Sequence, residues 1–177
     1  MSSLNDPLKM VRGSFIFSCL VILALCLGRV SADDQISAID PEEREMLKLI
    51  NEYRLQNGLT LLKFSSTLTR AANWMGTDMT ANNYFRHVDS LGRKPVERMT
   101  AFGYKFPGYN GENLAAGYSD AARTFNQWKQ SPGHNANMLN RNYRVIGISR
   151  VFGEDTKYKW YWTTNFGSYV DRKIARN

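Results

Sequence analysis

The chain carries only two histidines, His87 and His134, and neither lies on an apolar helical stripe. His87 sits in an irregular stretch beside Tyr84 and Phe85, and His134 follows Pro132-Gly133 where a short helix starts. A helix start favours the neutral imidazole, which is both a common metal ligand and a ready base near neutral pH. Zinc, however, wants three or four N, S or O ligands. With no His-Glu-x-x-His pair in the chain, spacing alone supplies no carboxylate to complete such a site. Glu112, in a Gly111-Glu112-Asn113 loop, reads equally well as a surface carboxylate or a cleft acid. Ser90, three residues after His87, invites a nucleophile–base reading. No nucleophile elbow surrounds it, and no third residue visibly orients the histidine. Purely structural roles for both histidines stay open beside the chemical ones.

The elements that must position these residues run helices first, strands last. Asp40-Pro41-Glu42-Glu43 combines a capping side chain, a first-turn proline and a glutamate three residues on, the signature of a helix start. Met46, Leu47, Ile50 and Tyr53 follow at helical spacing up to Asn57-Gly58. Residues 59–64 are a short apolar connection with room for a brief strand. A second helix opens at Ser66 or Thr67 and buries Leu68, Ala71, Ala72, Met75 and Met79. Pro95 opens a third, carrying Val96, Met99 and Phe102 and closed by Gly103. Residues 104–117, rich in Gly and Tyr, read as loop. Ser119 or Asp120 caps a fourth helix with Ala122, Phe125 and Trp128 inward, and after Ser131-Pro132-Gly133 a short helix continues to Leu139. Residues 144–152 and 157–166 are β-branched and aromatic about a Gly153-Glu154-Asp155 turn, the pattern of an antiparallel hairpin. The fold class is α+β, a small antiparallel sheet covered by helices. Trp128, Trp160, Trp162 and Phe166 read as core and sheet packing, and an exposed subset would line a lipid or glycan groove. Asn113, Asn135 and Asn137 read as partners of buried backbone groups.

The start of the chain is of another kind. Lys9 and Arg12 precede an apolar run over residues 15–27, and Val30-Ser31-Ala32 offers small residues for cleavage. This is the layout of a secretory signal peptide over residues 1–32, cut after Ala32. The run is about 13 residues against the roughly 20 that span a bilayer, so membrane contact through an uncleaved segment is the alternative. Cys26 lies between Leu25 and Leu27 rather than the small neighbours that lipid attachment wants. Residues 33–40 then form a polar linker, 41–170 a single domain and 171–177 a tail. Both cysteines, Cys19 and Cys26, fall in the leader, which leaves the mature domain without disulfide or thiolate chemistry. A domain of about 145 residues buries enough core to manage without such staples. The net charge of +7 falls to about +5 without the leader and is scattered along the chain. That suits an anionic envelope but lacks the stripe and module of a nucleic-acid binder.

Four motifs in order resemble those of the CAP superfamily: cysteine-rich secretory proteins, antigen five and the pathogenesis-related-one proteins. They are His87-Val-Asp-Ser90-Leu-Gly92; Gly111-Glu112-Asn113-Leu114; Trp128-x-x-Ser131-Pro-Gly-His134, with Ile146-Gly147 downstream; and Tyr161-Trp162-Thr163-x-x-Phe166-Gly167. The resemblance runs from about Glu42 to Gly167 and is closest to the bacterial, cysteine-free branch. It implies a three-layer α-β-α sandwich. It also implies a cleft of two histidines and two acids, which in animal and plant members can hold a divalent metal. Carried across, His87 is the first histidine and Glu112 the first acid. The second acid is expected three residues after the tryptophan, where this chain has Ser131. The second histidine opens a stretch that looks like Asn142-Tyr143-Arg144-Val145, so His134 is a substitute from the bacterial-type motif rather than an equivalent. The metal set so implied is His87, Glu112 and His134, with zinc the candidate cation and water completing it. Ser131 joins these as a ligand-binding candidate, or else caps the helix at Pro132.

The function implied is a secreted or envelope protein, periplasmic or extracellular, whose cleft takes a divalent metal and a lipid, glycan or protein ligand. The alternative is a hydrolase or peptidase, metal-assisted on His87, Glu112 and His134 or serine-type with Ser90 and His87. Sites rather than folds decide between these.

Overall fold

Asp40 starts the first helix as its neighbours imply: its carboxylate accepts from the backbone N–H of Glu42 at 2.9 Å, and α1 runs Pro41–Gln56. The computed structural model describes residues 40–171. The leader, nearly all of the linker and the tail beyond Asp171 lie outside these. In chain order the remaining elements are β1 (Lys63–Phe64), α2 (Ser66–Ala81), α3 (Pro95–Ala101), β2 (Asn110–Ala116), α4 (Ala121–Gln130), α5 (Pro132–Met138), β3 (Val145–Phe152) and β4 (Trp160–Gly167).

The four strands lie in the order β1-β3-β4-β2, with β3/β4 and β4/β2 antiparallel and the two-residue β1 parallel to β3. Helices cover both faces, so the architecture is an α-β-α sandwich. Strand alternation divides the core between the layers. Trp162 and Phe166 of β4 and Ile146 and Ile148 of β3 pack with Met46 and Ile50 of α1, Phe125 and Trp128 of α4 and Met138 of α5. On the other face, Val145 packs with Leu68, Ala71 and Met99, and Tyr161 and Leu114 with Met75 and Met79. The α2 stripe expected from periodicity is fully buried. Gly147 lets α2 approach β3 closely, because a Cβ there would overlap the backbone of Leu68 and Thr69.

Four sequence expectations need correction. The 104–117 stretch is not all loop: β2 pairs with β4 along its whole length, Glu112 opposite Asn165, and that pairing overrides a poor strand composition. Gly111 is required there, since a Cβ would collide with the Tyr143 hydroxyl. On α3 the inward residues are Arg98 and Met99, whereas Val96 is half exposed. On α4 the buried alanine is Ala121 rather than Ala122, because Asp120, not Ser119, caps the helix by accepting from Arg123 N–H at 2.9 Å. Ser131 stands at the N-cap position of α5, but its side chain makes no cap hydrogen bond.

Both sheet margins are closed by helix side chains, which guards against strand addition. Along β2 the carbonyls of Glu112 and Leu114 accept from Asn137 Nδ2 at 3.2 Å and Trp128 Nε1 at 3.1 Å. Along β3, beyond the reach of β1, the N–H of Ile148 donates to Thr69 Oγ1 at 3.3 Å and that of Arg150 to Glu43 Oε1 at 2.7 Å.

Burial raises the Glu43 carboxyl from 4.5 to about 7, outweighing the hydrogen bond from Arg150. The folded state therefore keeps a proton that the unfolded chain releases near pH 4.5. The stability this contributes is complete below pH 4.5 and is lost as the pH rises to about 7. Glu43→Gln keeps the acceptor for Arg150 N–H but has nothing to ionise. Urea denaturation should show the wild type losing on the order of 3 kcal/mol more than this variant across that window.

Candidate functional site: the His87–Glu112 cleft

The irregular segment between α2 and α3 is folded by its own carboxylates. Asp89, buried, accepts from the N–H groups of Leu91 at 3.0 Å and Arg93 at 2.8 Å, and from Arg93 Nε at 2.8 Å. Asp78 on α2 then docks the loop, accepting from Ser90 N–H at 2.8 Å, Ser90 Oγ at 2.5 Å and the Tyr84 hydroxyl. Burial alone would raise the Asp78 carboxyl. The Ser90 and Tyr84 hydrogen bonds more than offset it and hold the carboxyl below the usual range.

Anchored in this way, the loop presents His87 at the margin of the sheet. His87 Nδ1 lies 2.9 Å from Glu112 Oε1, with the imidazole half exposed and the carboxylate buried. The other carboxylate oxygen, Oε2, accepts from Arg98 Nη2. Arg98 is wholly buried; its Nη1 donates to the His87 carbonyl at 3.3 Å and lies 3.7 Å from Asp89 Oδ2. Since a carboxylate can only accept, a neutral His87 carries its proton on Nδ1 and turns Nε2 outward as an acceptor. The groove in front, about 460 Å³, is lined by His87, Lys94, Pro95, Val96, Glu97, Asn110, Gly111 and Glu112. Glu97 is occupied in capping α3 through the Lys94 N–H at 2.7 Å.

His134 reaches the same margin from the opposite layer. Neighbouring strand residues project to opposite faces, so Glu112 goes with α3 while Asn113 goes with α5. Asn113 Nδ2 donates to the His134 carbonyl at 3.1 Å, and Asn137 Nδ2 donates to Asn113 Oδ1 at 2.9 Å. The His134 ring packs 6.3 Å from Trp128, and its Nδ1 is buried without a hydrogen-bond partner. Burial, and secondarily the charge of His87, hold its imidazole below the usual range and thus neutral. Asn113 and Asn137 satisfy backbone groups as expected; Asn135 Oδ1 is buried without a partner.

Residues 47–166 match the family described as CAP, the cysteine-rich secretory protein family. The chain belongs to the CAP family. It is 32% identical over 115 residues to the uncharacterized protein YkwD of Bacillus subtilis strain 168, a match covering 65% of this chain and 44% of that protein. Among solved CAP-like folds, it resembles an outer surface protein from Borrelia burgdorferi (TM-score 0.66, 25% identity, 75% of this chain and 97% of that one). It also resembles an extracellular protein containing an SCP domain from Bacillus anthracis strain Ames (TM-score 0.63, 26% identity, 78% and 44%). The chain spans less than half the length of the curated relatives it matches.

The CAP resemblance implies a divalent cation at His87, Glu112 and His134, and the donor arrangement does not fit one. Among the described residues no three His, Cys, Asp or Glu side chains are grouped closely enough to hold a metal ion. The physical reason is that Glu112 has both oxygens engaged, by His87 and by Arg98, while His134 stands on the other layer. Ser131 and Asn142, at the positions of the second acid and second histidine, add no charge. Asn142 N–H donates to Asn140 Oδ1 at 2.9 Å, a local turn contact. Sequence reading gives no role to Arg98, Asp89 or Asp78, three buried charges that set the cleft. A signal was present for one of them, since Asp78 falls among the buried positions of α2.

Proposed function

We propose that this CAP domain is a non-enzymatic binding module, exported to the envelope or medium, whose His87–Glu112 groove takes an amphiphile with an anionic head. The observation that carries this reading is the pairing of polar groups around His87. Its partner is a carboxylate already matched by Arg98, and the nearby Ser90 hydroxyl gives its proton to Asp78 instead of to the imidazole. An imidazole whose neighbouring hydroxyl is turned to a carboxylate lacks an activated nucleophile but makes a good polar anchor. Pro95 and Val96 offer an apolar wall, and Lys94 has no ion-pair partner among the described residues, which leaves its ammonium for a carboxylate or phosphate. This is the usual make-up of a small-molecule site, a mostly apolar wall with few convergent polar groups.

Export is supported by the leader pattern of residues 1–32 and by the extracellular and outer-surface descriptions of the two structural relatives. Among the described residues no helix is long and apolar enough to cross a membrane. Titration with a dansyl-labelled fatty acid tests the reading. The expected result is saturable fluorescence that oleate displaces and that His87→Ala or Lys94→Glu weakens about tenfold, near 1.4 kcal/mol. Absence of uptake, or turnover of a peptide library that vanishes in His87→Ala, would contradict it.

A further inference from the structure

The solvent face of α2 holds a second hollow of about 480 Å³, lined by Thr69, Arg70, Asn73, Trp74, Thr77 and Phe102. It shares no residue with the His87 groove. Its lining follows from helix geometry: Arg70 and Trp74 are one turn apart on one ridge, and Thr69, Asn73 and Thr77 stand one turn apart on the next. The result is an aromatic wall flanked by amide and hydroxyl groups.

The wall is held in place. The Arg93 guanidinium lies 4.4 Å from the Trp74 ring centroid, occupying one face of the indole, and Phe102 packs against it at 6.3 Å and 52°. Arg93 is itself fixed by Asp89 at 2.8 Å. The polar groups keep capacity in reserve. Asn73 uses one amide hydrogen on Ser149 Oγ at 3.3 Å, which leaves its Oδ1 and second hydrogen. Among the described residues Arg70 makes only two long contacts, to the carbonyls of Ser66 and Phe102, each at 3.4 Å. No carboxylate pairs with Arg70 among the described residues, and no acidic side chain lines the hollow.

We infer that this hollow binds an acidic saccharide. A sugar ring presents a C–H face that stacks on an indole, equatorial hydroxyls that meet Asn73 and Thr77, and a carboxylate that Arg70 can grip through paired N–H donors. The charge of the lining selects acidic over neutral sugars. This inference is independent of the His87 groove and does not depend on what occupies it.

The test is titration of the purified protein with tetragalacturonate and with the uncharged maltotetraose, followed by calorimetry and tryptophan fluorescence. Saturable binding of the acidic sugar is expected, weakened at least about tenfold by Trp74→Ala and by Arg70→Gln and unchanged in His87→Ala. Arg70 is exposed, so its variant keeps the test valid if Trp74→Ala fails to fold. No saturable binding, equal binding of maltotetraose, or full affinity in Arg70→Gln would overturn the inference.

Discussion

Arg98→Ala is expected to lower the unfolding free energy by about 3–5 kcal/mol, the cost of removing one partner from a buried ion-pair network. In a domain of this size that is roughly a 10–20 °C drop in Tm. Arg98 is fully buried and serves both Glu112 and Asp89, and it also holds the His87 carbonyl. Its removal therefore leaves Glu112 with His87 alone and Asp89 with Arg93 alone, and takes away one of the holds on the loop that presents the imidazole. Arg98→Lys should rescue only part of the loss, because an ammonium cannot reproduce the divergent N–H contacts of a guanidinium. Combining Arg98→Met with Glu112→Gln should cost less than the two single changes added together, since each single variant strands the other charge. Chemical denaturation of the four proteins checks this; additivity would mean that the buried pair is energetically idle.

Trp128→Ala should be nearly as damaging, at about 3–5 kcal/mol for loss of a large buried aromatic. The indole is wholly buried between α4 and the sheet. It does more than fill space, because Nε1 donates to the Leu114 carbonyl on the margin of β2, and the ring is the surface against which His134 packs. Trp128→Phe separates the roles: it keeps most of the apolar contact and strands the Leu114 carbonyl, so a loss of about 1–3 kcal/mol is expected. Histidine side-chain spectra should shift at His134 in both variants and at His87 in neither. Thermal denaturation gives the stability terms, and a loss under about 1 kcal/mol in Trp128→Ala would contradict the packing argument.

These two residues show what was legible in the sequence and what was not. Trp128 could be read because it is apolar at helical spacing with Phe125, and the same logic found the whole stripe of α2. Arg98 could not, since a charge inside a seven-residue helix reads as solvated until the acids it meets are known. Those acids come from elsewhere in the chain, Asp89 from the preceding loop and Glu112 from β2. Arg54 is a parallel case. It falls four residues after Ile50 on the buried stripe of α1 and donates to the carbonyls of Met138 at 2.7 Å and Asn140 at 3.0 Å. Strand β2 was hidden for a related reason. Asn-Gly-Glu-Asn has no local preference for a strand, and only pairing with β4 makes it one. The motif residues were visible, but most of their work is structural: Asp89 and Ser90 fold the loop, Gly111 clears Tyr143, and Asn137 ties α5 to β2. Sequence order could place His87, Glu112 and His134 in one cleft. It could not show that Glu112 would be spent on Arg98 and His87, with His134 approaching from the other layer.

The central claim is that Glu112 orients His87 for binding and does not share a metal with His134. Nitrogen-detected NMR of the histidine side chains during a zinc titration tests it most directly. The expected result is a His87 held to Glu112 through Nδ1–H, with neither histidine shifting in a saturable manner up to one equivalent of zinc. Concerted, saturable shifts of His87 and His134 at one equivalent, abolished by Glu112→Gln, would contradict the claim and establish a metal centre in the cleft.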